Sequence, residues 1–335
     1  MRKMNLVMRL SLLVLVLSLI VIVRPTAAQK APIVLRWSDT NGPQAPLGML
    51  AGKFAKLTEE KTKGRVKVEL YLSGSLVGYN IEPVQTGVTH FFPLVPSMAV
   101  DLVPAISVLD APYIWKGDAH VYKVTDPRSN FMEAINNQLA KHGLRAVANF
   151  EMGFRNLTAN KPLYKPEDLK GLKIRSIANP VFMAIVKAMG ATPTPMPFPE
   201  VATALTTGVI DGQENPIPTI VVNKLHEVQK YIMLTEHVPT HAVIFMNLKA
   251  WESLTKEDQE HLTNAAIEAR DEIVQYQEKM DPEWRAQVKA AGCKIIGTAE
   301  GLQLESYIKA VKEPVHQQFA GKWGDLYQKI IDMGK

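Results

Sequence analysis

Cys293 is the only cysteine in 335 residues, so no internal disulfide can form and packing alone must hold the fold. The thiol sits in AGCKII beside an apolar stretch that reads as a strand, which suits a buried, inert group better than a nucleophile. Excess charge is scarce too. The formal net charge is +5, but residues 1–28 hold Arg2, Lys3, Arg9 and Arg24 and no acid, which leaves +1 for the rest. No basic patch of the kind that binds nucleic acid remains, and that partner class is set aside. Repeats, low-complexity tracts and flexible linkers are missing. So are the GxSxG elbow, the P-loop, a GxGxxG opening a helix after a strand, and a Cys–His pair in a suggestive context. His237 and His241 lie four apart around Pro239 with no third ligand in view, so neither a metal nor a cofactor is expected.

What is present begins with a cationic start, MRKMNLVMRL, then the apolar run LSLLVLVLSLIVIV and small residues in PTAAQ. This is the layout of a secretory signal peptide over 1–28, cleaved after Ala28, and the run is short for a spanning helix of about 20 residues. An exported protein of this size without disulfides points to a bacterial periplasm.

Beyond it the chain alternates. APIVLRW reads as a strand, LGMLAGKFAKLTEEKTKG as a helix and RVKVELYL as a second strand, a βαβ unit that implies a parallel sheet. A helix is expected from Asp118 to His142, followed by the strand LRAVANF. A second α/β set begins near Glu151. GLKIRS is a strand, and Asn179 caps a helix that starts at Pro180 and ends at Gly190. HAVIFMNL forms one more strand. Thr255 and Asp258 resemble a capping pair, opening a very long helix from Lys256 to about Ala290 that Asp281-Pro282 should kink or break. The length suits two domains, and two α/β lobes without a flexible linker place a site in the cleft between them.

Residues 190–216, GATPTPMPFPEVATALTTGVIDGQENP, carry the most unusual pattern. Pro193, Pro195, Pro197 and Pro199 fall at every second position, so all lack a donor on one edge of an extended segment. This reads as a stiff edge strand that delivers Phe198 and Glu200 to a helix start, although Phe198 alone would also suit a core. VID is expected as a strand and DGQENP as a tight turn, with Asn215 able both to donate and to accept. Arg175 ends the apolar strand KIR just before a helix N-terminus, where α/β sheets place ligands and where a guanidinium can grip a carboxylate through two bonds. It could equally pair with a structural acid. Arg155, past the strand LRAVANF, is placed likewise, and the two arginines together suggest an anion site.

GLKIRSIANPVFMAIVKAMGATPTPMPFPEVATALTTGVIDGQENP and the following VVNKLHEVQKYIMLTEH resemble the DctP-type solute-binding subunits of tripartite ATP-independent periplasmic (TRAP) transporters. More loosely, the similarity runs from APIVLRW to the C-terminus. The resemblance implies a two-lobed, periplasmic-binding-protein-like α/β fold with crossing strands and a long helix spanning both lobes. Lobe I is then 29–152 plus 241–280, and lobe II is 153–240 plus 281–335. It also implies a binding protein, not an enzyme, that closes on a small organic acid. Arg175 would pair with the carboxylate, Arg155 would assist, Asn215 would contact the ligand and Phe198 would line the pocket. Glu214, Tyr79 and Asn41 complete the candidate set. The implied partners are the small and large membrane subunits of an ion-gradient-driven permease, and a monomer is expected. A module that presents its ligand to a membrane receptor is the alternative. The first lobe departs from the pattern. SLVGYNIEPVQTGVTHFF places Tyr79 and Asn80 where charges are usual and His90 where an acid is common, and NGPQAPLG offers Asn41 and Gln44 in place of a histidine. His90 is then either a ligand contact or a surface substitution, and the acid itself stays open.

Overall fold

The structure, a computed structural model, describes residues 31–335; the signal peptide expected over 1–28 lies outside the described residues. Strand β1 (Ile33–Ser38), helix α1 (Pro46–Lys61) and strand β2 (Val66–Tyr71) form the expected βαβ unit, with β1 and β2 parallel from Ile33↔Val66 to Ser38↔Tyr71. Apolar residues at helical spacing (Leu47, Leu50, Phe54 and Leu57) turn one face of α1 into the core. A short helix α2 (Glu82–Thr86) and strand β3 (Phe91–Leu94) follow.

The single helix expected over 118–142 is two, α3 (Asp118–Thr125) and α4 (Asn130–Leu139). Pro127 excludes the helical region for the residue before it. Asp126 accordingly turns to ψ 126°, and Ser129 starts α4 afresh by accepting from the Met132 N–H.

Strand β4 (Leu144–Phe154) belongs to the first sheet and β5 (Asn156–Ala159) to the second, so the chain crosses over at Arg155. The second layer continues with β6 (Lys173–Ser176), α5 (Pro180–Ala188), β7 (Thr192–Pro195), α6 (Val201–Thr206), β8 (Gly212–Asn215), α7 (Ile217–Val222), α8 (Leu225–Val228) and β9 (Tyr231–Met233). The chain then returns to the first sheet through β10 (Pro239–Asn247) and α9 (Leu248–Glu252). Last come α10 (Lys256–Ala290), β11 (Lys294–Ile296), α11 (Leu304–Trp323) and α12 (Leu326–Met333). The sheets run β2-β1-β3-β10-β4 and β11-β9-β5-β8-β6-β7. Where the chain crosses twice, the passages bond to each other: the Arg155 N–H donates to Val238 O at 2.9 Å, and the His237 N–H to Arg155 O at 3.2 Å.

Two expectations change in the proline-rich region. DGQENP is not a turn. Its central residues are β8, fully buried, antiparallel to β5 (Asn156↔Asn215) and beside β6 (Ile174↔Gly212). Gly212 reads as a turn residue by composition, but it serves close packing, since a Cβ there would lie 2.1 Å from Thr158 O. The strand expected over VID therefore begins three residues later, at Gly212. β7 does lie at the sheet edge, parallel to β6, but it holds only Pro193 and Pro195; Pro197 and Pro199 lie beyond it.

Nor does Asp281-Pro282 break the long helix, which runs through all 35 residues. Proline removes one backbone bond, and packing on both sides of it outweighs that loss. Leu262, Ala265, Ala266, Ala269 and Ile273 join the core of the first sheet, whereas Trp284 and Val288 join one beneath the second. Helix α11 also reaches both layers. Tyr307 Oη donates to Leu163 O at 3.1 Å, and Trp323 Nε1 to Ser107 Oγ at 3.0 Å. Helix α12 packs on α3 and α4, so 281–335 touches both halves.

Candidate functional site

Arg175 is the third residue of β6, at its carboxyl end, and α5 begins just beyond, where Asn179 Oδ1 accepts from the Val181 N–H at 2.7 Å. Only 4% of Arg175 is exposed. Its Nε and Nη2 donate to Met196 O at 3.2 and 3.0 Å, and its guanidinium carbon lies 5.7 Å from the centre of the Phe198 ring. Met196 falls between Pro195 and Pro197, so the stiff segment supplies both the carbonyl and the ring. No carboxylate among the described residues pairs with this guanidinium. Burial lowers its pKa to about 10, so it stays charged at neutral pH.

Arg155 is placed differently. Its Nε and Nη2 form a two-point ion pair with Glu214, Nη2 also donates to Glu214 O at 2.6 Å, and Nη1 donates to Thr240 Oγ1 at 3.2 Å. His237 Nε2 lies 3.1 Å from Glu214 Oε2. Burial alone would raise the Glu214 pKa, but Arg155 and His237 outweigh it and hold the carboxyl down at about 2. Burial also lowers the His237 pKa, against the pull of Glu214. A neutral imidazole facing a carboxylate must carry its proton on Nε2, which leaves Nδ1 to accept from Thr235 Oγ1 at 3.0 Å. Arg155, Glu214 and His237 thus satisfy one another, pinning both crossings to β8.

Asn215 ends β8, buried, with its amide donating to Gln213 Oε1. On the other side, the Asn41 amide and backbone N–H both donate to Asp39 Oδ1 at 2.7 Å. Tyr79 is 44% exposed; its hydroxyl accepts from the Val95 N–H at 3.1 Å, and its ring stands edge-on to Phe92 at 5.9 Å. His90 has a role absent from the sequence reading: its Nδ1 accepts from the Arg36 N–H at 2.8 Å, which ties the segment before β3 to β1.

Asp110 escaped the sequence reading. It ends the 3-10 segment Pro104–Asp110, and its Oδ2 accepts from Asn179 Nδ2 at 3.3 Å, from the first half of the chain to the second. An acid within the apolar run AISVLDAPYIW was the available signal. Burial pushes its pKa to about 7, that of Asp39 to about 6 and that of Glu151 to about 8. Arg175 feels the charges of Glu214 and Arg155; Asp110 feels those of Arg155 and Glu214; the Tyr79 hydroxyl feels Asp39 and Asp110. The Asp110–Asn179 contact brings the first half of the chain to the start of α5, just beyond Arg175 and the carboxyl end of β6, where open α/β sheets hold ligands.

Two α/β layers joined by crossing strands and a long helix define the fold of a two-lobed solute-binding protein. The match to a family model, DctP, bacterial extracellular solute-binding protein family 7, covers residues 37–322, and the chain belongs to this family. A relative from Rhodobacter capsulatus, the C4-dicarboxylate-binding periplasmic protein DctP, is 33% identical over 302 residues, 88% of each chain. A TRAP periplasmic solute-binding protein from Polaromonas sp. JS666, solved bound to D-erythronate, is 31% identical with a TM-score of 0.80, covering 89% of this chain and 98% of its own. Another from Sulfurospirillum deleyianum, solved with succinate, is 30% identical with a TM-score of 0.77, covering 90% and 98%.

Proposed function

We propose that the protein captures a small organic acid between its lobes, with Arg175 gripping the carboxylate, and delivers it to the small and large membrane subunits of a TRAP permease. The observation that carries this reading is a charged, buried guanidinium whose only hydrogen-bond acceptor among the described residues is one carbonyl, Met196 O. A buried arginine normally has a carboxylate beside it, and here the ligand would supply that group. Phe198 packs near the same guanidinium and Asn215 lies at the neighbouring strand end. Glu214 and Arg155 act one step back, by holding the crossings and the β8 wall in place. Lobe I is 29–152 plus 241–280 and lobe II 153–240 plus 281–335, with the C-terminal helices reaching back onto lobe I, and the lobes close when a ligand contacts both. Export by a 1–28 signal peptide would put the protein in the periplasm, in keeping with relatives named as periplasmic, and there it would act as a monomer.

A thermal-shift screen against a panel of organic acids tests this. A ligand at about 100 times its Kd stabilises the folded state by about 2.7 kcal/mol, an easily seen shift. The expected result is a response to carboxylates that disappears in Arg175→Ala. A response unchanged in that variant would refute the assignment.

A further inference from the structure

The charge balance of the interior goes further, and rests on the carboxylate reading above. Residues 31–335 contain eight arginines, of which three are buried: Arg155, Arg175 and Arg270. Arg270 pairs with Asp271 and lies over the Tyr122 ring at 4.4 Å. Arg155 is neutralised by Glu214. Among the described residues no lysine is buried.

The arginines nearer the surface of the first lobe are engaged elsewhere. Arg36 donates to Gly87 O and Val88 O, Arg65 pairs with Asp258, and Arg128 pairs with Glu260. Arg145 sits over Trp251 at the start of β4, ten residues and roughly 30 Å of extended strand from Arg155.

The residues that follow the first-lobe strands supply no cation either. After β1 come Asp39, Thr40 and Asn41; after β3 come Val95, Pro96, Ser97 and Met98. Asp39 and Asp110 are both about 1% exposed, neither has a cationic partner, and burial raises the pKa of each. They add no positive charge for an anion to meet.

We infer that the site accepts a single negative charge: its cargo is a monocarboxylate with an uncharged body, and C4-dicarboxylates are rejected. A second carboxylate held in the closed cleft would be desolvated without a counter-ion, close to Asp39 and Asp110. The relative solved with succinate shows that the family fold admits such ligands. The discrimination therefore lies in this chain's own charges.

The experiment is titration calorimetry of the purified protein near neutral pH with acids matched except for the second carboxylate: butyrate against succinate, and lactate against malate. The expected result is that the monoacid of at least one pair binds about 100-fold or more tighter than its diacid, and that Arg175→Ala abolishes it. Glu214→Gln, which frees the Arg155 charge, should bring succinate affinity up toward that of butyrate. Because that variant removes a buried partner, its folding is checked by circular dichroism, and the wild-type pairs decide the matter without it. Succinate or malate binding as tightly as its partner, in an Arg175-dependent way, would overturn the single-charge inference and leave the carboxylate reading standing. Silence toward all four acids, followed by silence toward a wider panel of monocarboxylates, would overturn both.

Discussion

Two of the buried arginines, Arg155 and Arg175, lie twenty residues apart in the chain and have opposite surroundings. Arg155 is held by Glu214, Thr240 and, through Glu214, by His237; Arg175 has one carbonyl and an aromatic ring. The difference separates a charge neutralised within the protein from one that is not. A satisfied ion pair stabilises a particular arrangement of strands, and removing one partner strands the other. An arginine without a carboxylate partner neutralises no charge of the fold, and on the reading proposed above it is the one that takes up the anion.

The largest expected effect breaks this comparison at its functional end. Arg175→Ala should remove on the order of 3–5 kcal/mol of carboxylate binding, beyond the range of calorimetry, while the melting temperature without ligand stays level or rises. Glu214→Ala should do the reverse to the fold. It leaves Arg155 and His237 buried without their acceptor and should lower stability by roughly 3–5 kcal/mol, on the order of 10 °C in a thermal melt. Equal melting losses in the two variants would erase the distinction.

A smaller effect separates the paired acid from the unpaired ones through pH. Asp110 and Glu151 have folded pKa values of about 7 and about 8, above their unfolded ones, so the stability they contribute is full below the unfolded values and is lost as pH rises through 7 and 8. The buried histidines act oppositely. His241, held at about 3, loses its contribution as pH falls through about 6.5 and adds only a small opposing slope just above it. Between about pH 6.5 and 8.5, urea denaturation should therefore show stability falling by roughly 1–3 kcal/mol. The fall should shrink in Asp110→Asn and Glu151→Gln. Glu214, held at about 2, contributes no slope there.

The smallest effect concerns the helix that joins the halves. Thr255 Oγ1 accepts from the Asp258 N–H at 3.1 Å, and Thr255→Ala should cost about 1 kcal/mol in chemical denaturation without changing affinity for any acid.

Much of this was legible in the sequence. The apolar spacing of α1, the Asn179 cap and the Thr255 cap are local patterns, and each lies where the residues indicate. Arg175 could be placed at a strand end from KIR alone. What was misread was decided by neighbours distant in sequence. DGQENP has the composition of a turn but is a central strand, because β5 and β6 flank it and Thr158 leaves no room for a side chain at Gly212. Pro282 carries a local signal to stop, and packing at both ends of the helix overrides it.

By itself, then, the sequence determined the periodic elements such as α1, the caps at Asn179 and Thr255 and the candidate arginine, because periodicity and capping involve residues within a few positions of one another. Only the tertiary structure decided which arginine is free. Glu214 lies 59 residues from Arg155 and 23 from His237, and Asp110 lies 69 from Asn179. Whether a charge is paired, or an acid keeps its proton, depends on burial and on distance through space, and the order of residues along the chain encodes neither directly.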